Sequence, residues 1–263
     1  MRLEYKYRVP SHLLDEMREA IAPFMKLDKH GRGYENKGYT IRSIYFDSFN
    51  LRYYHEKAAG IHTRRKIRVR AYNAFSPDAR VFLEIKRKRN MAIAKARALL
   101  RYADLEPLLR TGHYQTYVNP YPDDPERNTA AQEEARRFLY HIYGYHLRPV
   151  NLVVYEREAY LGTGDPTLRI TFDRDLRGKT HPGLGDMFDN DLTLVESLRD
   201  HFIMEVKFNT FFHGWLNPLL GQYNFVREAI SKYKRVLDEC KATDVDHQQG
   251  MLARPLHALN GLS

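Results

Sequence analysis

Alternation of polar and apolar positions marks strands along most of this chain. Residues 1–9 place Arg2, Glu4, Lys6 and Arg8 on one side and Leu3, Tyr5, Tyr7 and Val9 on the other, because successive strand side chains point to opposite faces. The same period runs through 63–73, where Arg64, Lys66, Arg68 and Arg70 oppose Ile67, Val69 and Ala71. In 80–89, Glu84, Lys86 and Lys88 oppose Val81, Leu83 and Ile85. It returns at 167–173, where Arg169 and Asp173 oppose Leu168, Ile170 and Phe172, and at 201–209, where Glu205 and Lys207 oppose Phe202, Met204, Val206 and Phe208. Runs at 39–47, 150–160 and 191–198 complete the expected strands.

Helical spacing predicts helices over 11–25, capped by Ser11, over 102–113, over 129–143 with a stop near Gly144, and over 217–239. The segment 28–38 reads as a loop and 51–60 as a turn-rich connector. Three prolines make 119–128 a loop. Residues 241–263 are polar and aperiodic and read as a flexible tail. No regular βαβ alternation occurs, so the pattern predicts an antiparallel α+β fold, one domain over 1–240.

Composition sharpens this picture through charge. Lys and Arg total 42 against 33 Asp and Glu, a formal +9, in a chain of 263 residues that is 43% hydrophobic. That excludes a disordered chain and points to an anionic partner. The single cysteine, Cys240, excludes a disulfide framework and a cysteine zinc cage, and suits a reducing cytoplasm. The N-terminus MRLEYKYRVP lacks the apolar core of a secretory signal, and no apolar run is long enough to span a membrane.

The polar strand faces consist mainly of Lys and Arg. Like charges on neighbouring strands repel, and a protein that concentrates them is usually holding an anion between them. The triplet Glu-x-Lys recurs at Glu4-Lys6, Glu84-Lys86 and Glu205-Lys207. Such carboxylates can hold Mg²⁺ or Mn²⁺, and the adjacent cations can hold phosphates. Intra-strand salt bridging explains each single pair equally well. Lys232 reads equally as the solvated face of the last helix, and Arg64-Arg65-Lys66 as an exposed basic patch. P-loop, dinucleotide-binding, HExxH and kinase signatures are absent, as are the aromatic motifs of nucleic-acid readers, so no nucleic-acid partner is expected.

Ten short motifs together carry a resemblance. They are LEYKY (Glu4, Lys6), IRSIYFD ending at Asp47, EK with Gly60 (Glu56, Lys57), RKIRVRAY (Arg68, Arg70), FLEIKRK (Glu84, Lys86), AKAR (Lys95, Arg97), VYEREAY (Tyr155, Arg157), LRITFD (Arg169), MEVKF (Glu205, Lys207) and SKY (Ser231, Lys232, Tyr233). In this order the chain resembles the VTC domain, the polyphosphate-polymerase module of the CYTH-like triphosphate tunnel metalloenzyme superfamily, over about residues 2 to 238.

The resemblance implies a closed eight-stranded antiparallel β-barrel with charges lining a tunnel and helices packed outside. It implies a metal-dependent ATP:polyphosphate phosphotransferase that uses Mn²⁺ or Mg²⁺. Lys6, Arg68, Arg70, Lys86, Lys95, Arg157, Arg169 and Lys232 would be the catalytic phosphate-holding cations. Tyr155, Ser231, Arg97 and Lys207 would add substrate contacts, and Glu205, Glu84 and Glu4 would ligate the metal. ATP and polyphosphate would be the partners. Alternatives are a tunnel phosphohydrolase acting on tripolyphosphate or nucleoside triphosphate, and a non-catalytic polyphosphate or inositol-phosphate binding module. Hydrolases and cyclases of the superfamily begin Glu-x-Glu-x-Lys; Arg2 here replaces the first carboxylate, which favours the polymerase. The eukaryotic polymerases carry a membrane-spanning module and a phosphate-sensing domain. This sequence has neither, so export of a product would need a separate membrane protein.

Overall fold

The computed structural model describes residues 3–31, 38–89, 92–209 and 211–252. Arg2 and residues 253–263 of the expected tail lie outside that range. The strands are β1 (Leu3–Pro10), β2 (Met25–Leu27), β3 (Tyr39–Asp47), β4 (Thr63–Tyr72), β5 (Arg80–Arg89), β6 (Ala92–Arg101), β7 (Arg148–Gly162), β8 (Arg169–Thr180), β9 (Val195–Glu196) and β10 (His201–Phe208). The helices are α1 (Leu14–Ile21), α2 (Arg52–Ala58), α3 (Leu105–Thr111), α4 (Tyr114–Tyr117), α5 (Pro125–Gly144), α6 (Leu216–Gln222) and α7 (Lys232–Leu252). Every ladder is antiparallel, in the order β1-β10-β8-β7-β3-β4-β5-β6, with β2 added to β7 and β9 to β8. The sheet thus has ten strands rather than eight. Among the described residues β1 and β6, the ends of this path, share no ladder.

The sheet is strongly curled. Six ladder steps separate β1 from β5, about 29 Å in a flat sheet at ~4.8 Å per step. Yet Lys86 Nζ of β5 lies 3.5 Å from a Glu4 carboxylate oxygen of β1. Only a sheet rolled on itself brings these two together. The segment between α6 and α7 lies along the β1 edge: Tyr7 bridges to Arg227 and the Glu228 N–H donates to the Lys6 carbonyl (2.8 Å). It then reaches across to β4, where Lys66 Nζ donates to Ser231 Oγ (3.0 Å).

The apolar strand faces point outward and are covered by helices. Ile67, Val69, Val81, Leu83 and Leu100 pack beneath Phe138 and Leu139 of α5. Phe172, Phe202, Met204 and Val206 pack beneath Met17 and Ile21 of α1 and Leu216 of α6. Each fully buried side chain of this size contributes about 2 kcal/mol. α7 does something different. Its Tyr233, Val236, Leu237 and Cys240 pack with Tyr45, Val153, Tyr155 and Ile203, which share strand parity with the inward charges. α7 therefore covers one end of the concave face. It comes so close to β8 that a side chain at Gly178 would collide with Val236 and the Leu152 carbonyl.

Local structure departs from the sequence reading at several points. The segment 51–60 is a helix, α2, because the Asp47 carboxylate accepts N–H bonds from Tyr53 (2.9 Å) and Tyr54 (2.9 Å) at its start. Ser11 does not cap a long helix. It begins a 3₁₀ turn over Ser11–Leu13, α1 stops at Ile21, and β2 follows. α5 starts before 129 because Asp124 accepts from Arg127 N (3.0 Å) and Pro125 occupies the first turn. The expected helix 217–239 is two helices, since Asn224 adopts φ 51° and the chain leaves to meet β1. The strand at 191–198 contracts to β9, and β8 extends to Thr180. β6 is a strand that alternation did not mark, because alanines stand at 92, 94, 96 and 98. The sequence boundary at residue 240 falls within α7. No described helix is long and apolar enough to cross a membrane.

Asp47 is fully buried and also accepts from Tyr233 Oη (2.6 Å), so one carboxylate ties β3 and α2 to α7. Asp47→Ala is expected to lower stability by about 3 kcal/mol, read as a lower urea midpoint at unchanged slope.

Candidate phosphate-binding cavity

The inward strand faces enclose a cavity of about 560 Å³. β1 contributes Glu4 and Lys6, β4 contributes Lys66, Arg68 and Arg70, and β5 and β6 contribute Lys86 and Lys95. From the other wall come Tyr155 and Arg157 of β7, Arg169 of β8, Glu205 and Lys207 of β10, and Lys232 at the start of α7. Ten cationic side chains and two carboxylates line it, and the buried carboxylates Glu84, Asp173 and Asp28 next to the lining offset part of that excess. The two-residue strand period aims the strand side chains among these inward, and the start of α7 places Lys232 beside them.

Glu205 is the hub. Lys207 donates to it at 2.6 Å and Lys232 at 2.7 Å, with Lys6 at 3.2 Å and Arg157 at 3.5 Å. Burial alone would raise its carboxyl, but Lys207, Lys232, Lys6 and Arg157 outweigh that and hold it well below the carboxylate range. On the same inner face, fully buried, Asp173 accepts a bidentate pair from Arg157 (2.5 and 2.6 Å) and an ion pair from Lys232 (2.5 Å). Glu84 is buried too. It accepts from Arg68 (2.7 Å) and pairs with Lys95 (3.2 Å) and Arg97 (3.3 Å). Asp28 holds Arg169 at 3.0 Å.

Other cations lack a matched carboxylate. Among the described residues Lys66 has no carboxylate partner and donates to the Ser231 hydroxyl. Burial, reinforced by Lys6, Lys86, Arg68 and Lys57, drives its ammonium well below the usual lysine range. Arg70 donates to Ser43 Oγ (3.2 Å) and Tyr155 Oη (3.3 Å), both neutral. Burial, with Arg157 beside it, pulls Lys207 down to about 8 despite Glu205.

Three expected site residues, Glu84, Arg97 and Ser231, stand apart from the lining. Glu84 lies beneath Arg68. Arg97 stacks on Phe82 with its guanidinium carbon 3.3 Å from the ring centroid and donates to Tyr72 Oη (3.2 Å). Ser231 enters through Lys66. Lys66, Asp173 and Tyr45 belong to the site but were missed. Lys66 and Asp173 share strand faces with the cations singled out, so alternation alone could have found them. Among the described residues no three His, Cys, Asp or Glu side chains converge as a metal cluster. Glu4 and Glu205 instead share the Lys6 ammonium, at 3.1 and 3.2 Å. Magnesium is commonly held by one or two carboxylates completed by substrate phosphates, and this pair of lining carboxylates fits that donor set.

The VTC domain family model matches residues 1–238. The chain belongs to the VTC domain family. Membership supports a polyphosphate- or nucleotide-related function for this VTC-family protein. No curated protein sequence matches the chain. Among solved structures it is similar to a Bacillus halodurans protein named "putative adenylate cyclase", with 10% identity, a TM-score of 0.45, and 88% of this chain and 94% of that chain covered. It is also similar to the PH1819 protein of Pyrococcus horikoshii, with 12% identity, a TM-score of 0.39, and 90% and 99% covered.

The depressed carboxyls set an acid limit. Glu4 moves from its ordinary 4.5 to about 2: burial and Glu205 push it up, and Lys6, Lys207 and Lys86 more than reverse this. Its stabilisation is present above 4.5 and is lost as pH falls through about 2. Urea midpoints are expected to fall steadily across that window, and Glu4→Gln is expected to flatten the dependence.

Proposed function

We propose that this protein is a polyphosphate polymerase that transfers the γ-phosphoryl group of ATP to a growing polyphosphate chain. The observation that carries the reading is the cavity's ten inward cations, two of which, Lys66 and Arg70, have no carboxylate partner among the described residues, in a chain whose family is the VTC domain. In this reading the curled sheet is the wall of a phosphate tunnel, with the segment 223–231 and the side chains of β1 and β5 completing it where β1 and β6 do not pair.

The chemistry asks little of the protein. A terminal oxygen of the acceptor chain attacks the γ-phosphorus, the bond to the ADP oxygen breaks, and ADP leaves. The attacking phosphate is already ionised, so no general base is required, which suits a site without a nucleophile-and-base pair. What the residues supply is alignment and stabilisation of charge on the transferred group. Arg70 and Lys66 have donors to spare for phosphate oxygens. Arg157 and Lys232 are fixed by Asp173 and Glu205 before ligand arrives. Glu4 and Glu205 would hold Mn²⁺ or Mg²⁺ together with the phosphates, and the ion would neutralise charge on those oxygens.

Purified protein with ATP and Mn²⁺ is expected to release ADP and make polyphosphate visible on a gel. Lys66→Met strands no carboxylate and is expected to slow chain growth about 100-fold at unchanged urea midpoint. ATP consumption yielding only orthophosphate would assign a hydrolase, and binding without turnover a binding module.

Binding should also take up protons. An anion beside Lys207 and Lys66 restores their ammonium forms, so the complex holds more protons than the free protein. Tripolyphosphate affinity is therefore expected to rise as pH falls through about 8. Calorimetry in buffers of different ionisation enthalpy reads that uptake directly, and a buffer-independent heat at pH 8 contradicts it.

A further inference from the structure

A second cavity, of about 610 Å³, lies on the outer face of β4–β6 beneath α5. The outer face of β4 and β5 is apolar at Ile67, Val69, Val81 and Leu83, yet Arg65 of β4 stands directly opposite Arg87 of β5 in the ladder. Like charges in that position destabilise a sheet. Neither guanidinium has a carboxylate partner among the described residues, and Arg65 Nε is buried without any hydrogen bond. Arg65 rests over the Tyr145 ring at 5.9 Å, and that ring stacks on His141 with centroids 5.5 Å apart. His141 is 6% exposed, lines the cavity, and its Nδ1 has no partner. Two unpaired guanidiniums and an unpartnered buried imidazole therefore converge on one space.

The remaining charges do not fill it. Arg136 is held by Glu133 (2.7 and 2.9 Å), and Arg137 by Glu133 and Glu134 (both 3.1 Å). Among the described residues Glu134 is the one carboxylate lining the space; one of its oxygens is committed to Arg137 and the other is buried without a hydrogen bond. Lys95 is the link: it lines both this groove and the inner cavity. It stands on β6, which ends the sheet path, so the two spaces meet around that edge. α7 covers one end of the inner space, which leaves the β6 edge as a basic way out.

We propose that this groove is a second phosphate-binding site, for an oligophosphate segment, joined to the inner cavity across the β6 edge through Lys95. The occupant is a phosphoanhydride or phosphate group, whether the emerging end of a chain held in the cavity or a free phosphate-bearing anion. The proposal rests on the phosphate reading of the inner cavity for the chain source alone.

The test uses the full chain, titrated calorimetrically with tripolyphosphate and followed by NMR of the His141 ring, assigned with His141→Gln. Wild type is expected to take up two equivalents, the second shifting the His141 signals. Arg65→Gln/Arg87→Gln is expected to take up one, and Arg87→Gln alone, at an exposed position, to weaken the second about tenfold. Shifts with orthophosphate alone assign the site to free anions. Shifts only with chains long enough to occupy both spaces, and lost in Lys95→Gln, assign it to the emerging chain. One equivalent in wild type, or a His141 ring unmoved by every phosphate probe, overturns the proposal while leaving the inner site standing. Loss of the first equivalent with the second retained counts against the function reading instead.

Discussion

Everything in this molecule depends on keeping ten like charges on one concave surface from pushing it apart. Unrelieved, that crowding would oppose the curl that brings β1 and β5 together. A few buried carboxylates hold it. Glu205 gathers Lys6, Arg157, Lys207 and Lys232; Asp173 pins Arg157 and Lys232; Glu84 pins Arg68, Lys95 and Arg97. Such caged pairs add little net stability, because desolvation offsets most of the attraction. Their value is position: each cation is fixed in direction before any ligand arrives. The stabilising free energy comes from the other side of the sheet, where α1, α5 and α6 bury the apolar strand faces.

The same arrangement explains the net charge. The lining alone carries a formal excess of eight of the chain's +9, so much of the basicity that looks like a surface property in the sequence is interior. An interior field of this kind acts on something small enough to enter, not on a duplex lying outside. It also acts unevenly. Arg157 and Lys232 are already committed to carboxylates, whereas Lys66 and Arg70 make no ion pair among the described residues and donate to hydroxyl oxygens. Ligand charge is therefore felt most strongly along the β4 wall, where burial has left an ammonium whose charged form is costly until an anion joins it.

Much of this was legible in the sequence because a strand's period of two is rigid. Once Arg68 and Arg70 are placed on a strand, their common face follows, and the same holds for Glu205 with Lys207. What the period does not carry is curvature. Nothing in residues 3–10 or 80–89 says that Glu4 and Lys86 come within 3.5 Å; that depends on twist accumulated over intervening strands. Nor does alternation separate a carboxylate that faces the cavity from one beneath a guanidinium, which is why Glu84 and Glu205 look alike in sequence and differ in place. β6 escaped because its outward positions are alanines, which signal neither a buried strand nor a solvated one. The break between α6 and α7 escaped because its cause is tertiary: the chain leaves the helix to run along the β1 edge.

The inner face also changes character along its own strands, and that sets a direction. On β10, Ile203 precedes Glu205 and Lys207 on the same side; on β7, Val153 and Tyr155 precede Arg157. Both strands are antiparallel to β8 and so run in the same direction, and their apolar members gather at one end, where Tyr233, Val236 and Leu237 of α7 complete a dry cluster. Lys232 is the first residue of that helix, so the boundary between dry and charged falls at the turn where α7 begins. Asp47 holds Tyr233 one residue further on. A shift of α7 by one turn would therefore move Lys232 away from Asp173 and Glu205 while opening the apolar end, coupling the depth of the cavity to the charge at its floor. An extended anion longer than the cavity would meet a hydrophobic wall at α7 and mainly basic side chains elsewhere. Its free end must emerge on the charged side.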